Sequence, residues 1–542
     1  MVKLYDMPKR IYRIRGDKRK ELADRRQWLM DLLLRVEEEM RKAEGCLYYH
    51  YAADIEGAHQ LSLSEIWEKK EDRKAEEEVL TKELLEKIKQ VRENYVDEIA
   101  IEEHQVYVPP RRLNDIRNHE VTLNAVVSVP GSKSMTNRAL LLAALSEGEV
   151  VLEGVLFSDD SRHFLSCLAA LGFELEINEK ERQVRVRGEG GRIPFKEAVV
   201  DVGSAGTAAR FITAMLALSD GRYTIQCSGQ MERRPMQTLF EVLEKMGADF
   251  QYLHKEGHLP VIVTGSRYRQ ERQKCSGSLS MDISKSTQFL SAMLMVLPVG
   301  DLDIDIRITS EKKTGAYIDI TMAMLKEFGI EAAFDGEEYH IRGGQRMNRA
   351  RYVIEPDVSA ACYFFAAAAM TGGSVTVRNV FSHSLQGDIR FLEVLKQIGC
   401  KVMQTQEGIC VEGPKDGRYD GVEVDMNNFS DQALTLAAVA AFAGTDTIIR
   451  NISHIRGQEC DRMSAIVNEL GRCGIKASQT ETDIVIHPGV VHGAVIETYD
   501  DHRVAMAFQL LSLRTEGIVI DNPMCCKKTF ENYYEVFEEM LH

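Results

Sequence analysis

Lys133, Ser134 and Arg138 fall in PGSKSMTNRALLLAAL, residues 130–145, at the mouth of a segment that is otherwise almost wholly apolar. Those residue types suit an anion, since an arginine fork meets carboxylate or phosphate at two oxygens and a lysine supplies a point charge. Ser134 and Arg138 stand four apart and share one helix face. A nucleotide-binding P-loop is excluded, because NAVVSVP lacks the first glycine and Ser132 replaces the glycine before the lysine. Further cations recur in short polar strings: Arg234 in MERRPM, Arg462 in QECDR, Arg503 in DDHR and Lys528 in CKKTF. Arg503 enters the apolar run RVAMAF, where an unpaired charge would be costly. The net charge of -16 means that any bound anion must be gathered by such a local cluster, and it argues against nucleic acid and anionic membranes as partners.

The elements that must position these residues repeat. SKSMT has relatives in SAGTAARFITAML, SKSTQFLSAMLMV, SAACYFFAAAAM, SDQALTLAAVAAF and DDHRVAMAFQLL, each opening on small or polar residues suited to an N-cap and continuing as an apolar helix. Taking Ser134, Ser204, Ser286, Ser359, Ser430 and Asp501 as equivalent, subtraction gives intervals of 70, 82, 73, 71 and 71 residues. About 40 residues into each of the first five copies an amphipathic helix ends at a glycine: Gly172, Gly247, Gly329, Gly399 and Gly474. Each unit reads as strand, apolar helix, strand, amphipathic helix and strand pair. Helices apolar on every side must be buried all round. If parallel, their positive N-termini converge on one anion-attracting cleft.

Taken in order from about residue 119 to the C-terminus, PGSKSMTNRALLLAAL, GSAGTAARF, MERRPM, SKSTQFLSAMLM, SDQALT, DDHRVAMAF and CKKTF resemble the motifs of the 5-enolpyruvylshikimate-3-phosphate (EPSP) synthase family. The resemblance implies an α/β fold of two inside-out barrel-like domains, each of three repeated βαβαββ units. It implies chain crossings near Gly131 and Glu355, giving residues 132–355 as one lobe and 119–131 plus 356–542 as the other. The implied reaction moves the enolpyruvyl group of phosphoenolpyruvate to the 5-hydroxyl of shikimate 3-phosphate, with no cofactor and no metal, and implies sensitivity to glyphosate. Carried over, Lys133, Ser134, Arg138, Ser286, Thr287, Gln288, Thr314, Tyr317, Asp431, His454 and Gln458 hold shikimate 3-phosphate. Lys133, Gly206, Arg234, Gln288, Glu459, Arg462, Arg503 and Lys528 hold phosphoenolpyruvate. Asp431 is the implied base, Glu459 and Lys528 the alternatives for protonating the methylene carbon, and Lys133 and His502 complete the catalytic set; Asp357, like His502, is an orienting group at a helix mouth.

Two departures stand out. Gln458 occupies a place where the family usually has a lysine, and His454 one where asparagine is common; the nearby Arg456 is the expected compensation. The related UDP-N-acetylglucosamine enolpyruvyl transferases share the fold but need a catalytic cysteine loop and an Asn-rich first helix, which SKSMTNR and MERRPM do not supply. A non-catalytic relative with a working N-terminal arm has Gln458 as its one support.

Residues 1–118 lie outside the repeat. Leu22, Leu29, Leu33, Val36 and Met40 form one helical stripe, and Leu80, Leu84, Ile88, Val91, Tyr95 and Ile99 another. They read as an all-helical extension hinged near Gly57, with PPRR (109–112) as linker and with its helices open to self-association or a protein partner. The pattern of a fused chorismate mutase is not found, and the basic KRIYRIRGDKRK reads as a solvated tail. Eleven cysteines without a CxxC pair, and an N-terminus without the apolar core of a secretion signal, point to free thiols and a cytoplasmic chain.

Overall fold

The computed structural model describes residues 3–44, 46–53, 60–67, 73–110, 113–117, 122–266 and 277–542. The chain divides into two compact units: residues 1–111 with 492–498 and 515–523, and residues 112–491 with 499–514 and 524–542.

In the larger, mixed α/β unit all six apolar segments are helical: Lys133–Leu145, Gly206–Ala217, Gln288–Val296, Val358–Thr371, Ala433–Ala440 and His502–Gln509. Nearly every side chain on them is buried, as helices with no polar face require. The first three touch one another, and the fifth touches the fourth and the sixth. Around them lie five four-stranded sheets, each with a parallel first pair followed by an antiparallel pair. The five glycines that end the amphipathic helices all have positive φ, between 83° and 97°, which side chains disfavour. The described cysteines are free.

Two first strands are exchanged. Asn124–Val127, which leads into the first apolar helix, pairs in parallel with Ser374–Arg378 of the fourth repeat. Arg351–Val353, which leads into the fourth helix, pairs with Glu147–Glu153 of the first. The two crossing segments meet side by side, with Ser132 N donating to Glu355 O and Asp357 N to Pro130 O, both at 2.8 Å. A Cβ on Gly131 would stand 1.9 Å from Gly154 O, so only glycine fits at the crossing.

The smaller unit corrects the expectation of an all-helical extension. Strands Leu4–Ile14, Cys46–Ala53, Gln60–Trp67 and Val96–Tyr107 alternate with helices Arg26–Met40 and Lys82–Tyr95 in a split β-α-β arrangement. The sheet is antiparallel, with Leu4–Ile14 flanked by the third and fourth strands. Both helical stripes are real, but they close on each other and on Tyr12, Tyr49 and Leu63 in one core. No apolar helical face is left over for a partner among those stripe residues. Ile99 belongs to the fourth strand and is exposed. The first half of the segment read as a basic tail, residues 9–14, belongs to a central strand, because Tyr12 and Ile14 alternate with its charges and point into the core, and its second half turns into the helix Arg19–Asp24. Gly57, Arg111 and Arg112 lie outside the described residues; Pro109 and Pro110 follow the fourth strand without regular structure.

Among the described residues the sixth repeat has no antiparallel strand pair of its own. Its strands Val495–Ile496 and Val519–Ile520 pair in parallel, and the second continues onto Val96–Tyr107 through Ile520 and Tyr107. That strand is antiparallel to Leu4–Ile14. The N-terminal unit thus supplies the antiparallel pair that the other five repeats carry themselves.

Candidate active site

A cavity of about 660 Å³ lies within the larger unit, lined by the N-terminal turns of all six apolar helices. Only Asp357 and Asp501 cap their helices through a side chain, accepting from Ala360 N and Arg503 N. At the other four the N-cap residue gives no side-chain bond. Those helix ends keep their positive character toward the cavity. Ser286 Oγ accepts from Gln288 N at 3.2 Å, so it caps locally while lining the cavity.

Arg462 is the hub. Buried to 1 % exposure, its guanidinium meets Asp501 at 2.7 and 3.2 Å, Asp431 at 2.9 Å and Glu459 at 2.8 Å. Asp431 also takes Arg503 at 3.0 Å and the Tyr317 hydroxyl at 2.6 Å. Burial opposes its charge, but Arg503 and Arg462 outweigh it and hold Asp431 well below the usual carboxylate range. Glu459 is likewise ionised: Lys528, 3.3 Å away, and Arg462 overcome its desolvation. Burial works against the ammonium of Lys528, yet Glu459 keeps it protonated. Burial and Lys133 keep His502 neutral; among the described residues neither ring nitrogen has a hydrogen-bond partner, and Nδ1 lies 3.8 Å from Asp501 Oδ1.

Among the described residues the other cations of the lining, Lys133 excepted, have no carboxylate partner. Arg138, 1 % exposed, donates to Thr321 Oγ1, Ser291 Oγ and the carbonyls of Ser134 and Tyr317, and meets no carboxylate among the described residues. Burial pushes it down to about 10. Arg210 is buried, donates to Gly206 O and Met231 Sδ and lies 5.8 Å from the Phe289 ring centroid, and burial, with Arg234 beside it, depresses it strongly. Arg234, Lys285 and Lys312 line the same cavity and form no ion pair among the described residues. Lys133 has Asp160 at 3.5 Å. Buried polar atoms without partners cluster here too: Arg210 Nε, Arg234 Nε, Gln288 Oε1 and Asp160 Oδ1. Such groups are costly unless a ligand completes them.

Of the residues expected from sequence, Lys133, Ser134, Arg138, Gly206, Arg234, Ser286, Thr287, Gln288, Tyr317, Asp357, Asp431, His454, Gln458, Glu459, Arg462 and Arg503 all line the cavity. His502 and Lys528 are buried outside its lining, the latter against Glu459. Thr314 is exposed and lies outside the lining. Arg456 is also outside it, tied to Asp461, Gln479 and Thr480 O. Sequence reasoning missed Arg210, Asp388, Lys285 and Lys312. Arg210 carries the signal that singled out Arg503, a charge inside an apolar helix. Asp388 is buried against Ser359 and Gln432. Away from the cavity, Asp305, Glu338 and His340 come within reach of a single metal ion, but both ring nitrogens of His340 already bond Asp305 and Asp335. Among the described residues no helix is long and apolar enough to cross a membrane.

The sequence model of the family described as EPSP synthase (3-phosphoshikimate 1-carboxyvinyltransferase) matches residues 118–537. The 3-phosphoshikimate 1-carboxyvinyltransferase of Trichormus variabilis is 42 % identical over 420 residues, 77 % of this chain and 97 % of that protein. The enzyme of the same name from Yersinia pestis is 39 % identical over 423 residues, 77 % of this chain and 96 % of its own. An EPSP synthase structure from Acinetobacter baumannii shares the fold at a TM-score of 0.65 and 24 % identity, covering 77 % of this chain and 96 % of that one. Cavity, repeat and relatives agree that this chain belongs to the EPSP synthase family.

Proposed function

We propose that the cavity holds shikimate 3-phosphate beside phosphoenolpyruvate and is where this chain transfers the enolpyruvyl group, releasing phosphate. The observation that carries this reading is the set of five lining cations without a carboxylate partner among the described residues, Arg138, Arg210, Arg234, Lys285 and Lys312. Two substrates with a phosphate and a carboxylate each supply the missing charge. Ser134, Arg138, Ser286, Thr287, Gln288, Tyr317, His454 and Gln458 face shikimate 3-phosphate; Lys133, Gly206, Arg234, Arg462, Arg503 and Lys528 face phosphoenolpyruvate.

In the reaction the 5-hydroxyl oxygen bonds C2 of phosphoenolpyruvate, its proton leaves to a base, and the methylene carbon gains a proton. The C2–O bond to phosphate then breaks and the methyl group returns a proton. Asp431 is the base. Its low affinity for protons in the empty site rises once the substrate anions share Arg503 and Arg462. Lys528, buried behind the lining against Glu459, is the donor to the methylene carbon once closure brings it into reach, because it holds a proton where Glu459 is ionised. Glu459 fixes Lys528 at 3.3 Å.

Residues 132–355 and 119–131 plus 356–542 act as two inside-out lobes of three units, hinged at the paired crossings near Gly131 and Glu355. Closure brings Tyr317 of one onto Asp431 of the other and excludes water. The chain acts in the cytoplasm, where both substrates and free thiols belong. The deciding assay is phosphate release from phosphoenolpyruvate with shikimate 3-phosphate and with UDP-N-acetylglucosamine. Turnover with the first alone, lost about 100-fold or more in Asp431→Ala, is expected; turnover that survives the substitution removes Asp431 as base.

A further inference from the structure

Gln458 leaves the wall built by Ser286, Thr287, Tyr317 and His454 without a formal charge, since burial and the nearby Lys312 keep His454 neutral. His454 Nε2 is engaged with Ser430 Oγ at 2.7 Å. Arg456, the compensation expected from sequence, is bound up with Asp461 and Gln479 outside the cavity. A phosphate dianion against neutral donors alone would be poorly held. Lys312 lines that wall and is half-buried. Its backbone carbonyl is fixed by Ser310 Oγ at 2.9 Å, and its Nζ is pinned by Asn427 through the side-chain oxygen and, at 3.4 Å, the carbonyl. It forms no ion pair among the described residues; Asp425 and Asp319 act on it only through space.

We propose that Lys312, oriented by Asn427, is the cation that binds the 3-phosphate of shikimate 3-phosphate in this chain, in place of the charge that Gln458 lacks. The inference rests on the proposed substrate. Burial lowers the ammonium's affinity for its proton, and the cost is recovered when a dianion arrives. Asn427 offers only amide and carbonyl oxygens, so it aims Lys312 without neutralising it. Lys285, exposed at the rim, adds a weaker, screened attraction.

The test uses the full chain. In Lys312→Met the KM for shikimate 3-phosphate is expected to rise about 10- to 100-fold, with kcat and the KM for phosphoenolpyruvate within about threefold of wild type. Unphosphorylated shikimate, measured as an inhibitor competing with shikimate 3-phosphate, should bind both proteins equally, a separation that general damage to the fold would not give. Adding Gln458→Lys to Lys312→Met should restore most of the lost affinity, and Gln458→Lys alone should tighten shikimate 3-phosphate, a reading independent of how Lys312→Met folds. A KM for shikimate 3-phosphate that rises less than threefold, an equal loss of shikimate binding, or a Gln458→Lys that neither rescues nor tightens overturns the role of Lys312. A wild-type chain that turns over phosphoenolpyruvate with no shikimate 3-phosphate present, or not at all, overturns the substrate reading and the inference with it.

Discussion

Arg138 and Arg462 are equally buried and should respond oppositely to the same substitution. Arg462→Met leaves Asp501, itself fully buried, with Glu459 and Asp431 deprived of their common counter-charge. Removing one partner from a buried pair costs about 3–5 kcal/mol. Arg138 balances no carboxylate. Burial holds it down to about 10 against an ordinary 12.5, and at about 1.4 kcal/mol per tenfold change that is roughly 3 kcal/mol of uncompensated desolvation. Its loss releases that energy and forfeits four hydrogen bonds. Three of the partners are already bonded among themselves, since the Thr321 hydroxyl lies 3.1 Å from Ser291 Oγ and 2.8 Å from Tyr317 O. Arg138→Met should therefore leave ligand-free stability within about 1 kcal/mol of wild type or above it. The same change removes a forked, charge-assisted contact of about 2–4 kcal/mol from the substrate, raising the KM for shikimate 3-phosphate about 30- to 1000-fold. Urea unfolding of both variants without ligand, and steady-state kinetics of Arg138→Met, test the pair. An Arg138→Met protein as destabilised as Arg462→Met, or one with an unchanged KM, would refute the view that Arg138 is a stored charge awaiting an anion.

The other expectations concern single groups. A Cβ on Gly206 would stand 2.9 Å from Arg234 Nη1 and 2.6 Å from Arg210 Nη1, so Gly206→Ala should displace both guanidinium groups, raise the KM for phosphoenolpyruvate and weaken competing glyphosate at least as much; inhibition kinetics read both, and an unchanged KM would place the phosphoenolpyruvate site elsewhere. Asp431 and Glu459 have depressed values in the folded chain, so their stabilisation is complete above the unfolded carboxylate range and is lost as pH falls below about 4.5. Denaturant midpoints between pH 7 and pH 3 should fall less steeply for Asp431→Asn than for wild type, and parallel curves would contradict the assignment. Removing residues 1–110 uncovers Val519 and Ile520, 1 % and 0 % exposed, on an unpaired edge. The truncated chain should aggregate, as measured by soluble yield and light scattering; a soluble, monomeric product would show the sixth repeat to be self-sufficient.

The larger unit was legible because its two strongest signals are local. A helix without a polar face and a glycine at a fixed distance behind it can each be seen in one window of sequence, and the near-constant interval turns six weak readings into one. The strand exchange was not visible from the repeat, since pairing Asn124–Val127 with Ser374–Arg378 is a contact across some 250 residues; the resemblance to a family supplied the crossing points. In the N-terminal unit charge concealed the sheet. Glu76 is buried because Tyr49, Tyr51 and Arg92 each reach its Oε1 at 2.7 Å, and Glu65 because Arg10 and the Trp67 indole satisfy it. Trp67 apart, these partners are far apart in sequence, so the strands that carry them look solvated. QLSLSEIW does alternate in the open, but it is one short strand between two longer helical stripes.

The division between paired and unpaired cations explains how one cavity can be both rigid and receptive. Arg462 and Arg503 are spent on Asp431, Glu459 and Asp501, and that network fixes Asp431 and the protonated Lys528 in the ligand-free site. Arg138, Arg210 and Lys312 lean on hydroxyls, carbonyls and an amide, groups that orient a cation without cancelling it. Three helix ends without side-chain caps add to the same unspent potential. Two small acids entering together release this stored desolvation at the moment they are brought into contact, so the energy that a more stable protein would have used in folding is available for binding instead. On this argument every substitution that neutralises an unpaired cation trades affinity for stability, whereas one in the Arg462 network loses both.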